Sequence, residues 1–280
     1  MIKRTIGVFT GNRAEYGLQL PIIRAIESHP ELCYRLIVSG GHLDEDFGRT
    51  LSEIELDGIE VYDEVKILMD ETVSYATPQA IGTGIVSIAK TLSVLNPDIF
   101  LVYADRYEGF AALVAATQMN IPTAHIEGGD ITEGGALDDS IRHAMTKLAH
   151  LHFTTNQEAT NRIIAMGEEE WRVKTVGFPA IDLIVEGDFS SKEILLEKFD
   201  LDLDRPIIIY TQHSVTTEYK KAQSQIEPAL LALGKLSSEG AQVIITYPNN
   251  DAGGLSIIKS LQEFMSQSPA GVQLYPSLGR

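Results

Sequence analysis

The 280-residue chain carries one cysteine, Cys33. A lone cysteine excludes an intramolecular disulfide and any cysteine-built metal site. Cys33 lies in an apolar, strand-like run, where a core thiol is the expected reading. Long apolar runs are missing as well. None approaches the roughly 20 residues of a membrane helix, and the apolar part of MIKRTIGVFTGNRAEYG is too short for a secretory signal. A cytoplasmic protein without a membrane partner is expected. Basic residues are scarce, with 22 Lys and Arg against 39 Asp and Glu, for a net charge of −17. A surface this acidic lacks the basic footprint by which proteins hold nucleic acid. It does not exclude a small phosphorylated ligand, which needs only a local positive site. Internal repeats and low-complexity tracts are absent.

What is present is a regular alternation of short apolar runs and amphipathic stretches. Strands are expected at Thr5–Thr10, Tyr34–Ser39, Glu60–Tyr62, Ile99–Tyr103, Thr123–Ile126, Leu151–Thr154 and Val173–Val176. Helices are expected between them at Leu18–Glu27, Phe47–Glu55, Gln79–Leu95, Tyr107–Met119, Ser140–Leu148 and Gln157–Met166. This order specifies an α/β fold built on a doubly wound parallel sheet. After Gly177-Phe178-Pro179 the pattern weakens, and a second alternation runs through strands 206–212, 241–247 and 272–275 and helices 224–236 and 255–265. Two α/β domains follow, residues 1–178 and 206–280, joined by 179–205. The second has room for about three strand–helix units of roughly 30 residues each, and so reads as incomplete.

The chemistry-bearing residues cluster where strands end, which is where open α/β sheets bind ligands. Gly11-Asn12-Arg13-Ala14-Glu15-Tyr16-Gly17 joins the first strand to the first helix. A helix N-terminus attracts anions, and Arg13 adds a planar cation suited to phosphate. The loop is neither a P-loop nor a dinucleotide fingerprint. Asp105 and Arg106 follow Ile99–Tyr103, where Asp105 is either a functional carboxylate or a helix N-cap. Glu127 follows Thr123–Ile126 directly and precedes Gly128-Gly129, a pair that signals a tight turn or a close approach of backbone to something. Asp130 and Glu133 read as solvated loop charges. Asp138 and Asp139 stand where the next helix should start, and Asp138 has an i,i+4 partner in Arg142. Asp105, Glu127 and Asp138 are therefore expected to converge, and several carboxylates in one site point to proton transfer on a ligand. His213 ends the first strand of the second domain. Asn249 and Asp251, after its second strand, either bind a sugar hydroxyl or cap a helix. His125, His143, His150 and His152 lack metal-site spacing, and no metal is expected.

The motifs GNRAEYG (11–17), ADRYE (104–108), HIEGGD (125–130), LDDSIRHAMTKLAHLHF (137–153), TQHSVTTE (211–218) and YPNNDAGG (247–254) resemble, in order and through the whole chain, those of the UDP-N-acetylglucosamine 2-epimerase family. HIEGG followed by DDSIRH is most similar to the hydrolysing branch, which supplies N-acetylmannosamine-type sugars for sialic, legionaminic and related acids. The resemblance implies two Rossmann-like domains in the GT-B arrangement, a homodimer or homotetramer, a nucleotide-sugar substrate and no cofactor. It implies catalytic roles for Asp105, Glu127 and Asp138, and a catalytic or phosphate-binding role for His213. It places Arg13, Arg106 and Asn249 near the nucleotide diphosphate. The sequence departs from the family pattern at Asp130, where glutamate is common, at Gly17, where serine is frequent, and in a longer loop before Asp138. Family members continue for roughly another hundred residues, enough to complete a second domain.

The implied chemistry is elimination followed by hydration. Carbon 2 of an N-acetylhexosamine has no adjacent ketone to acidify its hydrogen, so loss of the nucleotide diphosphate from carbon 1 replaces a free carbanion. A base near carbon 2 and cations at the leaving group are required. Glu127 and Asp138 are expected to move protons at carbon 2, with Asp105 as auxiliary base or orienter. His213, Arg13 and Arg106 are expected to stabilise the departing diphosphate. Alternatives on the same fold are a non-hydrolysing epimerase, a glycosyltransferase, and an inactive nucleotide-sugar-binding chain.

Overall fold

The computed structural model describes residues 3–67, 75–132, 137–187 and 189–279. The chain divides into two compact units, one of Met1–Asp44 and Arg49–Gly187 and one of Glu45–Gly48 and Asp188–Arg280.

The first unit is built on seven strands: β1 (Arg4–Thr10), β2 (Leu32–Ser39), β3 (Val61–Val65), β4 (Ile99–Tyr103), β5 (Thr123–Ile126), β6 (Leu151–Thr154) and β7 (Val173–Thr175). They lie in the order β3-β2-β1-β4-β5-β6-β7, with every neighbouring pair parallel. Its helices are α1 (Arg13–Ser28), α2 (Leu51–Leu56), α3 (Ala76–Leu95), α4 (Tyr107–Gln118), α5 (Leu137–Leu148), α6 (Gln157–Ala165) and α7 (Ala180–Val185). Strand side chains alternate between two cores, as a period of two requires. Val8, Leu36, Val38, Leu101 and Tyr103 pack with Leu20 and Ile23 of α1 and Ile54 of α2. Phe9, Ile37, Phe100 and Val102 pack with Ile88 and Leu92 of α3, Leu113 of α4 and Met145 of α5. Burial on both faces explains why the central strands read as unbroken apolar runs.

The chain winds outward from β1 to β3, then returns through α3 to place β4 on the other side of β1. That reversal is the topological switch point, and the loops after β1, β4 and β5 surround it. α3 ends at Asn96, whose left-handed backbone (φ +44°) stops the helix before Pro97.

The observed elements match the expected ones closely, with two instructive differences. α1 begins at Arg13 rather than Leu18, because Asn12 caps it by accepting a hydrogen bond from the Glu15 N–H. The helix expected over Phe47–Glu55 is confined to Leu51–Leu56. Gly48 (φ +88°) and Arg49 (φ +41°) both adopt left-handed backbone, which no right-handed helix contains.

In the second unit, β8 (Ile207–Thr211), β9 (Gln242–Thr246) and β10 (Val272–Tyr275) form a parallel sheet in the order β10-β9-β8. They alternate with α9 (Ala222–Ser238) and α10 (Gly254–Ser266), preceded by α8 (Lys192–Lys198). Ile226, Leu230, Leu233, Val243, Ile245, Ile257 and Leu261 form its core. The segment Glu45–Gly48 belongs to this unit: a Cβ on Gly254 would lie 3.2 Å from the Phe47 ring. Among the described residues no helix is long and apolar enough to cross a membrane.

Candidate active site

Two adjacent strands end in the same unusual way. Ala104, just past β4, has φ +52°, and Glu127, just past β5, has φ +62°. Left-handed backbone costs a non-glycine residue on the order of 1–3 kcal/mol, so the surroundings must hold it there. They do so through hydrogen bonds. The Ala104 N–H donates to Ile126 O (3.0 Å), and the Glu127 N–H donates to Phe153 O (2.9 Å). His125 Nε2 lies 2.6 Å from Ala104 O. A carbonyl only accepts, so Nε2 carries the proton and Nδ1 accepts from Thr146 Oγ1 at 3.3 Å. Burial pushes the His125 imidazole down to about 4, which keeps it neutral.

Gly128 and Gly129 make the close approach that their pairing signals, and the approached surface is the protein itself. A Cβ on Gly128 would lie 2.8 Å from His125 Nδ1 and 2.9 Å from Thr146 Oγ1. On Gly129 (φ +85°) it would lie 2.5 Å from Ala159 O of α6. Glu127 is thus clamped between its own strand and two helices.

Asp105 does not cap α4. The N-cap is Arg106, which makes no side-chain capping bond. The Asp105 carboxylate instead ion-pairs with Arg142 of α5, which also reaches Asp139 Oδ1 at 3.4 Å. Burial raises the Asp105 pKa; Arg142 opposes this and the neighbouring Asp138 charge adds to it. Burial raises the Glu127 pKa as well. Tyr103 and Arg142 pull it down, while Asp130 and Asp105 push it up. The Tyr103 contact falls short of a full hydrogen bond, since Tyr103 Oη and Glu127 Oε2 are both buried without a hydrogen-bond partner among the described residues. Asp105 therefore lies within the field of both Glu127 and Asp138. Asp138 itself is exposed in the first turn of α5. Carboxyl groups held in different environments, with pKa values displaced upward, are suited to dividing proton-giving and proton-taking roles between them.

Arg13 is the first residue of α1 and half-buried, and burial lowers its pKa. The loop before it is less open to an anion than its sequence suggests. The Gly11 N–H donates to Glu15 Oε2 (2.7 Å) and the Glu15 N–H to Asn12 Oδ1 (3.2 Å). Two of its backbone donors are thus committed to the chain's own side chains. Arg106 ion-pairs with Glu108 (3.4 Å) and lies over the Tyr107 ring. His42 bridges Thr10 Oγ1 (3.0 Å) and Thr50 Oγ1 (2.8 Å) beneath the same loop, and burial pushes its imidazole down to about 3.

Asp130, expected to be solvated, accepts hydrogen bonds from Thr155 Oγ1 (2.8 Å) and Asn156 Nδ2 (3.0 Å). Glu133 lies outside the described residues. His150 pairs with Thr123 (2.9 Å) and His152 with Glu168 (3.4 Å). Among the described residues, no three or more His, Cys, Asp and Glu side chains are grouped to hold a metal ion. Cys33 is half-buried against Thr5 Oγ1.

In the second unit, His213 is exposed just past β8, and its Nδ1 accepts a hydrogen bond from the Asn249 N–H (3.2 Å). A neutral His213 therefore presents its proton on Nε2. Asp251 stands two residues before the N-cap of α10. Its carbonyl accepts from the Gly254 N–H (2.8 Å), and Gly253, at φ +90°, is the N-cap.

Sequence reasoning missed Arg142 as the partner of Asp105, and missed Tyr103, His42, Glu15 and Glu108. Glu15 had a signal, four residues after Gly11 in a strand–helix turn. Buried Glu108 and His42 had none, because their neighbours are distant in the chain.

The sequence model of the family described as UDP-N-acetylglucosamine 2-epimerase matches residues 24–280. The chain is 30% identical over 265 residues to the UDP-N,N'-diacetylbacillosamine 2-epimerase (hydrolyzing) of Legionella pneumophila, covering 95% of this chain and 69% of that one. It is 31% identical to the GDP/UDP-N,N'-diacetylbacillosamine 2-epimerase (hydrolyzing) of Campylobacter jejuni, covering 100% of this chain and 72% of that one. Its fold resembles the crystal structure of UDP-GlcNAc 2-epimerase from Neisseria meningitidis bound to UDP-GlcNAc. There the TM-score is 0.78 at 21% identity, over 99% of this chain and 73% of that one.

Proposed function

We propose, from the premise that this chain belongs to the UDP-N-acetylglucosamine 2-epimerase family, that it is a 2-epimerase of the hydrolysing type. Its substrate in this reading is a nucleotide-linked N-acetylhexosamine or a diacetamido analogue. The products are the free manno-configured sugar and the nucleoside diphosphate. One observation carries the reading: Asp105 and Glu127 sit at the ends of adjacent strands, beside the topological switch point, and Arg142 pairs with Asp105 and attracts the Glu127 charge.

In this reading the chemistry is the elimination and hydration that the family resemblance implies. A carboxylate removes the proton from carbon 2 as the carbon 1–oxygen bond breaks, and the electron pair closes the ring double bond. Water then adds across that bond. A carboxylic acid delivers a proton to carbon 2 from the opposite face, and a base takes one from the water that attacks carbon 1. Glu127, whose pKa burial raises, and Asp138 are assigned the proton transfers at carbon 2. Asp105, held by Arg142, orients the reacting groups or assists as base. Arg13, Arg106, His213 and Asn249 are assigned to the diphosphate, where cations and N–H donors offset the charge of the leaving group. Asp251 is assigned to the nucleotide sugar. The hydrolysing outcome is favoured by the two hydrolysing relatives at about 30% identity. A cytoplasmic homo-oligomer completes the proposal, with light scattering as its check.

Product identification by NMR tests the reading. The chain is incubated with UDP-N-acetylglucosamine and with the diacetamido analogue. Free manno sugar and UDP are expected. A 2-epimer still linked to its nucleotide identifies the non-hydrolysing reaction, and nucleotide release that needs a sugar acceptor identifies glycosyl transfer.

A further inference from the structure

Beneath the loop joining β1 to α1 lie two carboxyl groups that the proposed chemistry does not use. Glu15 of α1 is 4% exposed, and Glu108 of α4 is fully buried. Both meet Gly11. The Gly11 N–H donates to Glu15 Oε2 at 2.7 Å, and a Cβ on Gly11 would lie 3.2 Å from Glu108 Cδ. Gly40 closes the other side, where a Cβ would lie 2.6 Å from Glu108 Oε1.

Arg106 ion-pairs with Glu108 and attracts Glu15 through space, and Asp105 repels Glu15. Tyr103, at the end of β4, feels the Glu15 carboxyl and is driven further from ionisation. Beyond the loop stand Arg13 and neutral His42. A charged Glu15 in this buried place, beside the Glu108 carboxyl, is strongly disfavoured. A proton on Glu15 removes that cost. Glu15 Oε1 is buried and makes no hydrogen bond among the described residues, so it is an atom at which that proton can sit.

We propose that Glu15 is a positioning residue that keeps its proton at neutral pH, and that in this state it fixes Gly11 at the edge of the site while the neighbouring Glu108 holds Arg106. Burial and the Glu108 charge push Glu15 up to about 8, in accord with this assignment. The proposal rests on the reading above only in counting Arg106 as part of the site.

The test does not depend on turnover, so its failure and the failure of the proposed reaction are separate outcomes. Between the ordinary glutamate value and about 8, the folded chain binds a proton on Glu15 that the unfolded chain lacks. Stability from this group therefore falls as pH rises through that window, by up to about tenfold in the unfolding constant per pH unit. Urea unfolding followed by Trp171, the single tryptophan and part of the first unit, is measured from pH 5.5 to 8.5. Glu15→Gln, an isostere of the protonated acid, should remove this tenfold-per-unit component relative to wild type. Glu108→Gln should move it to lower pH. Equal pH slopes in wild type and Glu15→Gln overturn the proposal. For positioning, hydrogen exchange of the Gly11 amide should be slow in wild type and in Glu15→Gln, and fast in Glu15→Ala. Unchanged protection in Glu15→Ala overturns that role. Should the variants not fold, carboxyl 13C NMR of the wild type decides. A Glu15 signal titrating near pH 8 supports the retained proton, and one titrating in the ordinary glutamate range overturns it.

Discussion

Arg142 on α5 is locked onto Asp105, two residues beyond the end of β4, and the pair is almost closed off from solvent, with 9% and 17% of the two side chains exposed. The bond spans 37 positions of sequence. It ties the start of α5, with Asp138 and Asp139, to the strand end that neighbours Glu127. The guanidinium thereby sets the charge balance of the whole carboxylate group.

Removing that cation leaves Asp105 buried with its charge uncompensated. Arg142→Met should therefore cost about 3 kcal/mol of stability and raise the Asp105 pKa further. Chemical denaturation and carboxyl 13C NMR check the two effects. Stability equal to wild type would show that the pair does not hold α5 in place.

Glu127 joins function and strain at one residue. Glu127→Gln keeps the shape, removes the carboxylate, and should abolish release of free sugar while the fold persists. Glu127→Gly also removes the carboxylate but suits the left-handed backbone, and should raise stability by about 1 kcal/mol. Near-normal kcat in Glu127→Gln would remove this residue from the mechanism, and a less stable glycine variant would refute the strain argument.

The two glycines that follow should differ in tolerance. Gly128→Ala meets side-chain atoms of His125 and Thr146 that have little room to shift, at a cost of about 1–2 kcal/mol. Gly129→Ala meets the Ala159 carbonyl oxygen from a left-handed backbone, at about 3 kcal/mol. Urea midpoints should rank wild type above Gly128→Ala and that above Gly129→Ala.

His42 and His125 are held neutral by burial, at about 3 and about 4 against an ordinary 6.5. The unfolded chain binds protons there that the folded chain does not. Stability from these groups is fully present above pH 6.5 and lost as pH falls toward the folded values. Each adds up to about tenfold to the unfolding constant per pH unit. Long-range 15N–1H spectra should show both rings neutral down to pH 5, with His125 protonated on Nε2. An imidazolium signal from either at pH 6 would contradict the burial argument.

Much of this was legible in the chain. Ile99–Tyr103 and Thr123–Ile126 announce themselves by apolar continuity, and Asp105 and Glu127 follow those runs directly. Placing both at the C-terminal ends of neighbouring strands needed only the parallel topology that the βα alternation implies. Hidden from the sequence were the relations between distant segments. Arg142 is four residues from Asp138, yet it closes on Asp105. Gly128-Gly129 signalled a close approach without naming α5 and α6 as the approached surfaces. Phe47 looked like part of a helix, and the segment that holds it belongs to the second unit.

The order and kind of the elements, and the chemical identity of what stands at their ends, are written into the chain, because periodicity and turn chemistry act over a few neighbouring residues. Which charges share a buried space, and hence which carboxyl pKa values rise, is set by the folded arrangement. Desolvation and Coulomb forces depend on distance through the folded molecule, and separation along the chain does not record it.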